Sequence, residues 1–258
     1  MRYSVTVGAV GEGRDPRGLA ELARAAEEAG WDGVFLEDYL AYQGDVSRPT
    51  YEPWVCLAAM GAATSRVRIG TTVTPLPRRS PWQVAAEAVA LDHLTAGRFV
   101  FGVGTGDPND PFLPRRPARV LAEMLDEGLT LIDRLWSGAP VDFAGKHYRL
   151  EGAQLTARPV QRPRIPVWVG GNLLVPAVRR RILRWDGSCA YKGGTDAPQQ
   201  MTPDDVRGLL AERPGLEVKV SGGDPAAFAA AGAAWWGRWI APGSWAETLA
   251  VVRSGPPV

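Results

Sequence analysis

The segment Val67–Asp107, VRIGTTVTPLPRRSPWQVAAEAVALDHLTAGRFVFGVGTGD, constrains the fold more than any other part of this chain. Val67–Val73 is a short apolar run rich in β-branched residues. Pro75, Pro77 and Pro81 keep the following stretch irregular. From Trp82 to Leu94, the residues Val84, Ala85, Ala88, Val89 and Leu91 recur at helical spacing. Gly97 then stands where a left-handed C-cap residue is expected. Phe99–Val103 reads as a second buried strand and enters the turn Gly104-Thr105-Gly106-Asp107, where the backbone can approach a ligand closely. Two such strands joined by a helix form a parallel βαβ unit.

The same alternation continues through the chain. Strands are expected at Tyr3–Val10, Gly33–Glu37, Ile165–Val169, Trp185–Ala190, Leu216–Ser221 and Ala234–Ile240. Helices are expected near Pro16–Ala29, Pro53–Ala63, Ala118–Ser137, Val175–Arg184, Pro203–Arg213, Pro225–Ala231 and Ser244–Arg253. Asp142–Leu155 reads as a polar hairpin outside the pattern. About eight strand–helix pairs predict a compact (β/α)8 TIM barrel with few insertions, and 258 residues suit one domain spanning 1–258. An open doubly wound sheet is the fallback, but no G-x-G-x-x-G follows the first strand.

Bulk properties exclude several classes. The 29 basic and 28 acidic residues leave a net charge of +1, so there is no electrostatic footprint for nucleic acid or an anionic membrane. All but three of the basic residues are arginine, a bias that fits a GC-rich genome. Cys56 and Cys189 are far apart, and with two histidines in all they argue against a metal site. No apolar run approaches a membrane span. The opening MRYSVTVGAV lacks a signal-peptide pattern, which points to the cytoplasm. Trp31, Trp82, Trp136 and Trp168 are expected in the core. His93 and His147 are expected to be structural.

The order IGTTVTP, PWQVAAEAVALDHLTAGR, GVGTGD resembles the bacterial luciferase-like family of flavin- and F420-dependent oxidoreductases. The resemblance includes LEDY at Leu36–Tyr39, MLDEGLTLIDRLWSG and RIPVWVGGN, and it thins after about Gly194. It implies a luciferase-like barrel that moves hydride between F420 or FMN and a small organic substrate. It also implies a homodimer. Asp38 and Tyr39 match an Asp-His pair that lies beside the ring in relatives. Tyrosine at that position is a hydrogen-bond donor but a poor base at neutral pH. Thr72, Val73 and Thr74 match the place where a non-proline cis peptide backs the ring, although an ordinary strand end would use the same residues. Gly104, Thr105 and Gly106 would cradle the ring. FMN relatives often carry arginine at the Thr105 position, so Thr105 followed by Gly106 and Asp107 tilts the choice to F420. Asp107 inherits a proton-transfer role from the deazaflavin sugar-phosphate dehydrogenases. Gly170, Gly171 and Asn172 match the phosphate-binding turn. Arg78 and Arg79 offer extra positive charge for that phosphate, but a solvated surface position is the expectation. Two rivals stand beside the hydride-transfer reading. One is an FMN monooxygenase using oxygen. The other is a non-catalytic flavin-binding relative, suggested by the absent histidine.

Overall fold

The computed structural model describes residues 1–194, 197–199 and 201–257. Eight parallel strands form its centre: β1 (Arg2–Gly8), β2 (Gly33–Glu37), β3 (Arg68–Thr71), β4 (Phe99–Gly104), β5 (Val167–Val169), β6 (Gly187–Ser188), β7 (Glu217–Ser221) and β8 (Trp235–Trp239). Each strand pairs with its sequence neighbour, β8 pairs with β1, and β3 pairs with β4, so the ring closes. The (β/α)8 barrel expected from the alternation is therefore the fold, and the open-sheet fallback is excluded.

The helices are α1 (Pro16–Glu28), α2 (Pro53–Ala62), α3 (Pro81–Leu94), α4 (Ala118–Leu135), α5 (Pro176–Arg184), α6 (Pro203–Glu212), α7 (Pro225–Ala230) and α8 (Trp245–Arg253). Six of them begin with proline, whose missing N–H costs nothing at the first helical turn. Side chains cap several starts: Asp15 on α1, Asp224 on α7, and a Thr202–Asp205 capping box on α6. Val141–Ala144 and Arg149–Ala153 form the expected outlying hairpin. A second hairpin, Lys192–Gly194 with Ala197–Gln199, follows β6 and was not anticipated from the sequence.

Strand alternation sorts the core into two compartments. Val34, Leu36, Val5, Val7, Phe101 and Val103 point outward into the helix-covered core. Phe35, Val100, Trp168 and Trp235 point into the barrel and fill its middle. Phe35 stacks on Trp168 with centroids 5.2 Å apart, and Trp168 meets Trp235 edge-on at 5.7 Å. Below this aromatic plug, Glu217 joins Arg2 and Arg68. The barrel axis is thus sealed, and open space remains at the C-terminal ends of the strands.

Of the tryptophans expected in the core, Trp31, Trp136 and Trp168 are buried. Trp82 is not: it is 44% exposed and lies edge-on to Tyr148 of the outlying hairpin. Helical spacing alone does not reveal which face of α3 meets the barrel when the helix is apolar on most sides. Cys56 is fully buried, as expected. His93 Nε2 lies 2.8 Å from the Arg158 carbonyl, and His147 Nε2 lies 3.1 Å from Glu123, both outside the barrel mouth. No helix among the described residues is long and apolar enough to cross a membrane.

Candidate active site

A cavity of about 820 Å³ opens at the C-terminal face of the barrel. That volume falls within the range of small-molecule sites, at the end of a barrel where such sites are built. Inward-facing residues one tier above the aromatic plug line its base: Thr6, Glu37 and Lys219. Glu37 ends β2, two residues beyond Phe35 and on the same face, opposite Gly8 in the β1 register.

One side of the cavity is shaped around Val73. The Thr72–Val73 peptide bond is cis, at the position where the sequence comparison anticipated one. The Val73 side chain sits between two glycines. A Cβ on Gly170 would lie 2.6 Å from Val73 Cγ1, and one on Gly104 would lie 2.9 Å from Cγ2. Both distances are shorter than real Cβ contacts, so a side chain at either position would force Val73 to shift. Gly106 follows with φ +94°, a conformation that disfavours side chains. A Cβ there would also meet Pro75 at 2.9 Å. Thr72 Oγ1 is buried without a hydrogen-bond partner. The result is a smooth, side-chain-poor wall with one uncommitted polar atom, a form that suits a flat heteroaromatic ring.

Asp38 is among the residues that line the cavity, and its carboxylate is taken up by the protein's own donors. Its Oδ2 accepts from Trp54 Nε1 at 3.1 Å and from Arg79 Nε at 3.0 Å, and its Oδ1 accepts from both Arg78 and Arg79. Arg78 also reaches Asp110 at 2.6 Å, and Arg79 reaches Glu52 at 2.6 Å. The Arg78 side chain is 4% exposed and that of Arg79 16%. The expectation that these arginines are solvated is therefore wrong. Their charges are drawn inward because Asp38, Asp110 and Glu52 converge on the loop after β3. The four donors on its two oxygens tie the loop that carries Tyr39 to the loop after β3, and Arg78 extends the link to Asp110.

Tyr39 lines the cavity and packs edge-on to Tyr42 at 5.2 Å. Burial pushes its phenol above the ordinary value, and the charges of Glu37 and Asp107 push it further. It therefore stays protonated at neutral pH and has a proton to donate in a hydrogen bond. Asp107 is half-buried, with Oδ1 accepting from the Asn109 amide at 2.9 Å.

The remaining expected residues divide. Thr105, Gly106, Gly170 and Gly171 line the cavity. Thr74 is buried and its Oγ1 accepts from Trp54 at 3.3 Å, away from the cavity wall. Asn172 stabilises its own turn: its side chain accepts from Leu174 N at 3.1 Å and its carbonyl from Val175 N at 3.0 Å. Helix α5 begins only at Pro176, so the helix N-terminus does not directly follow the glycine turn. Among the three adjacent tryptophans of β8, Trp235 belongs to the plug, while Trp236 and Trp239 line the cavity. Cys189 also lines it, and burial pushes its thiol up to about 12. Lys219 and Glu37 are among the lining residues that sequence reasoning did not single out for a role. The period-two alternation from Phe35 and Trp235 is the signal that could have placed them.

A closed barrel with one ring-shaped wall and a polar base defines an enzyme-like small-molecule site rather than a macromolecular interface. The family model for luciferase-like monooxygenases matches residues 3–235, and the chain belongs to that family. It is 38% identical over 165 residues to an F420-dependent glucose-6-phosphate dehydrogenase of Nakamurella multipartita, an alignment covering 61% of this chain and 47% of that protein. The chain spans about half the length of the curated relatives it matches in this way. A solved F420-dependent secondary alcohol dehydrogenase in complex with an F420-acetone adduct superposes with a TM-score of 0.78 at 16% identity, covering 99% of this chain and 98% of that one. The oxygenating constituent of 3,6-diketocamphane monooxygenase from Pseudomonas putida, in complex with FMN, superposes at 0.61 and 16% identity, covering 79% and 60%. At these identities the structural likeness establishes the fold.

Proposed function

We propose that this protein is an F420-dependent oxidoreductase acting on a small organic substrate. The observation that carries the reading is the wall formed by the cis Thr72–Val73 turn between Gly104 and Gly170, which fits a planar ring. The turn Gly104-Thr105-Gly106-Asp107 supports F420 over FMN, because no cation stands at the Thr105 position. The name of the Nakamurella relative favours the same cofactor.

When bound, the deazaflavin supplies hydride transfer. The chain's own residues then divide the remaining work. Val73 and the glycines Gly104, Gly106 and Gly170 would hold the ring, and Thr72 Oγ1 would give or accept one hydrogen bond. Gly170, Gly171 and Asn172 would approach the cofactor phosphate through their backbone. Tyr39 would donate a hydrogen bond into the cavity, and Asp107 would exchange a proton at its rim. Asp38 would keep both in place through Arg78 and Arg79. By family resemblance the assembly is a homodimer, which light scattering tests.

Fluorescence titration with F420 and FMN side by side tests the cofactor. Tight F420 binding with weak FMN binding is expected, and Tyr39→Phe and Asp107→Asn should reduce turnover while retaining F420. A yellow protein that binds FMN and ignores F420 would favour the monooxygenase reading. Binding of neither would remove the enzyme reading.

A further inference from the structure

We propose that Glu37 and Lys219 form a substrate-oxygen subsite at the base of the cavity, with Glu37 exchanging a proton with a hydroxyl or carbonyl oxygen of the substrate. This inference rests on the oxidoreductase reading and extends it to the substrate.

Glu37 faces into the barrel from β2 and Lys219 from β7, with β1 and β8 between them, and the Lys219 side chain spans that gap: its Nζ reaches Thr6 on β1 and lies 5.7 Å from the ring centroid of Phe35 on β2. The wall around Val73 is built from the Thr72–Pro75 turn after β3 and the ends of β4 and β5, strands that stand opposite β8 and β1 in the ring. Lys219 is only 4% exposed. Its Nζ donates to Thr6 Oγ1 at 3.3 Å and Ser221 Oγ at 3.4 Å, two long bonds to neutral acceptors. Gly237 leaves room for it, since a Cβ there would lie 2.6 Å from Nζ. Among the described residues no carboxylate forms an ion pair with this ammonium. Glu37 Oε2 is enclosed and has no partner. An ammonium held by two long bonds and the face of Phe35, and an enclosed carboxyl oxygen without a partner, line one cavity and leave contacts for a ligand to complete.

The groups around Glu37 are Arg14 from the loop after β1, Lys219 from β7, Trp239 from β8, and Tyr39 and Tyr42 from the loop after β2. Burial pushes the carboxyl up to about 7, against the Trp239 hydrogen bond and the Lys219 and Arg14 charges. Both of its protonation states are therefore accessible near neutrality. Each state fits one redox state of the same substrate. An alcohol donates to the ionised carboxylate and accepts from Lys219. A ketone or aldehyde accepts from the protonated carboxyl and from Lys219. On oxidation, the substrate O–H bond breaks and its proton passes to Glu37. The C–H bond breaks, its hydride leaves with the electron pair for the oxidised deazaflavin, and the carbonyl forms. Reduction reverses each transfer.

Tryptophan fluorescence of the cofactor-free protein, titrated from about pH 5 to about pH 9, gives the first readout, because Trp239 neighbours Glu37. A transition near 7 is expected in the wild type, lost in Glu37→Gln and kept in Asp107→Asn. Turnover of a series of secondary alcohols and ketones, beginning with cyclohexanol and cyclohexanone, gives the second. Glu37→Gln should lower kcat/KM roughly 10²–10⁴-fold and remove the limb near 7, with F420 affinity unchanged. Lys219→Met should mainly raise KM. A transition that persists in Glu37→Gln, an unaltered pH profile, or no turnover across the series would overturn the proposal while F420 binding stands. Failure of the wild type to bind F420 removes the oxidoreductase reading and this inference together.

Discussion

Arg79 grips Asp38 through two parallel contacts, Nε to Oδ2 and Nη2 to Oδ1, both 3.0 Å, where the Asp38 side chain has no solvent exposure. This paired geometry is the strong form of an arginine–carboxylate contact. It fastens the loop after β2, next to Tyr39, to the loop after β3.

Replacing Asp38 by Asn leaves two inward-drawn arginines without their shared anion. Removing one partner of a buried pair costs about 3–5 kcal/mol. The Asp38→Asn variant should therefore show a clearly lowered midpoint in urea unfolding, and Arg79→Lys a smaller loss because the paired geometry goes while the charge stays. A variant as stable as the wild type would show that the network does not hold the loops.

Gly170→Ala probes the ring-holding wall. The new Cβ would stand 2.6 Å from Val73 Cγ1, so the valine must shift and the wall must change shape. F420 affinity in a fluorescence titration should fall at least ~10-fold, about 1.4 kcal/mol. Unchanged affinity would place the ring elsewhere.

Glu37 should also leave a mark on stability. Its carboxyl is raised from 4.5 to about 7 in the folded protein, first by burial. Between those values the folded state holds more protons than the unfolded one. Its contribution is complete below the unfolded value and is lost as pH rises through about 7. Urea midpoints of wild type and Glu37→Gln, compared at about pH 5 and about pH 8, should therefore differ, with the variant gaining on the wild type at the higher pH. Parallel curves would show that the group is not perturbed.

Asp92 offers a control remote from the cavity. It is fully buried on α3 and accepts from the amides of Val160 at 2.6 Å and Gln161 at 3.1 Å, and from Gln161 Nε2 at 2.8 Å. Asp92→Ala strips three donors of their acceptor and should cost a few kcal/mol, at ~1–3 for each group left unsatisfied. F420 affinity should be unchanged. A change in affinity without loss of stability would link this loop to the site.

The barrel was legible in the sequence because its elements announce themselves locally. Prolines at helix starts, capping residues such as Asp15 and Asp224, and short β-branched runs mark each boundary within a few residues. The glycine turns were legible for the same reason, since Gly106 needs its conformation whatever surrounds it. Arg78 and Arg79 were misread because an arginine beside a proline-rich loop looks solvated until the acids that draw it inward are known. Those acids, Asp38, Asp110 and Glu52, lie on three other segments.

The sequence by itself determined the alternating strands and helices, the family, and the positions of the turns at the barrel mouth. Only the tertiary structure decided that Asp38 is fully engaged by Arg78, Arg79 and Trp54 and that Glu37 shares a cavity with Lys219. Periodicity and capping are properties of neighbours along the chain. The charge state and partners of a buried group depend on what closing the ring brings beside it, and β2 and β7 meet one cavity only once β8 has paired with β1.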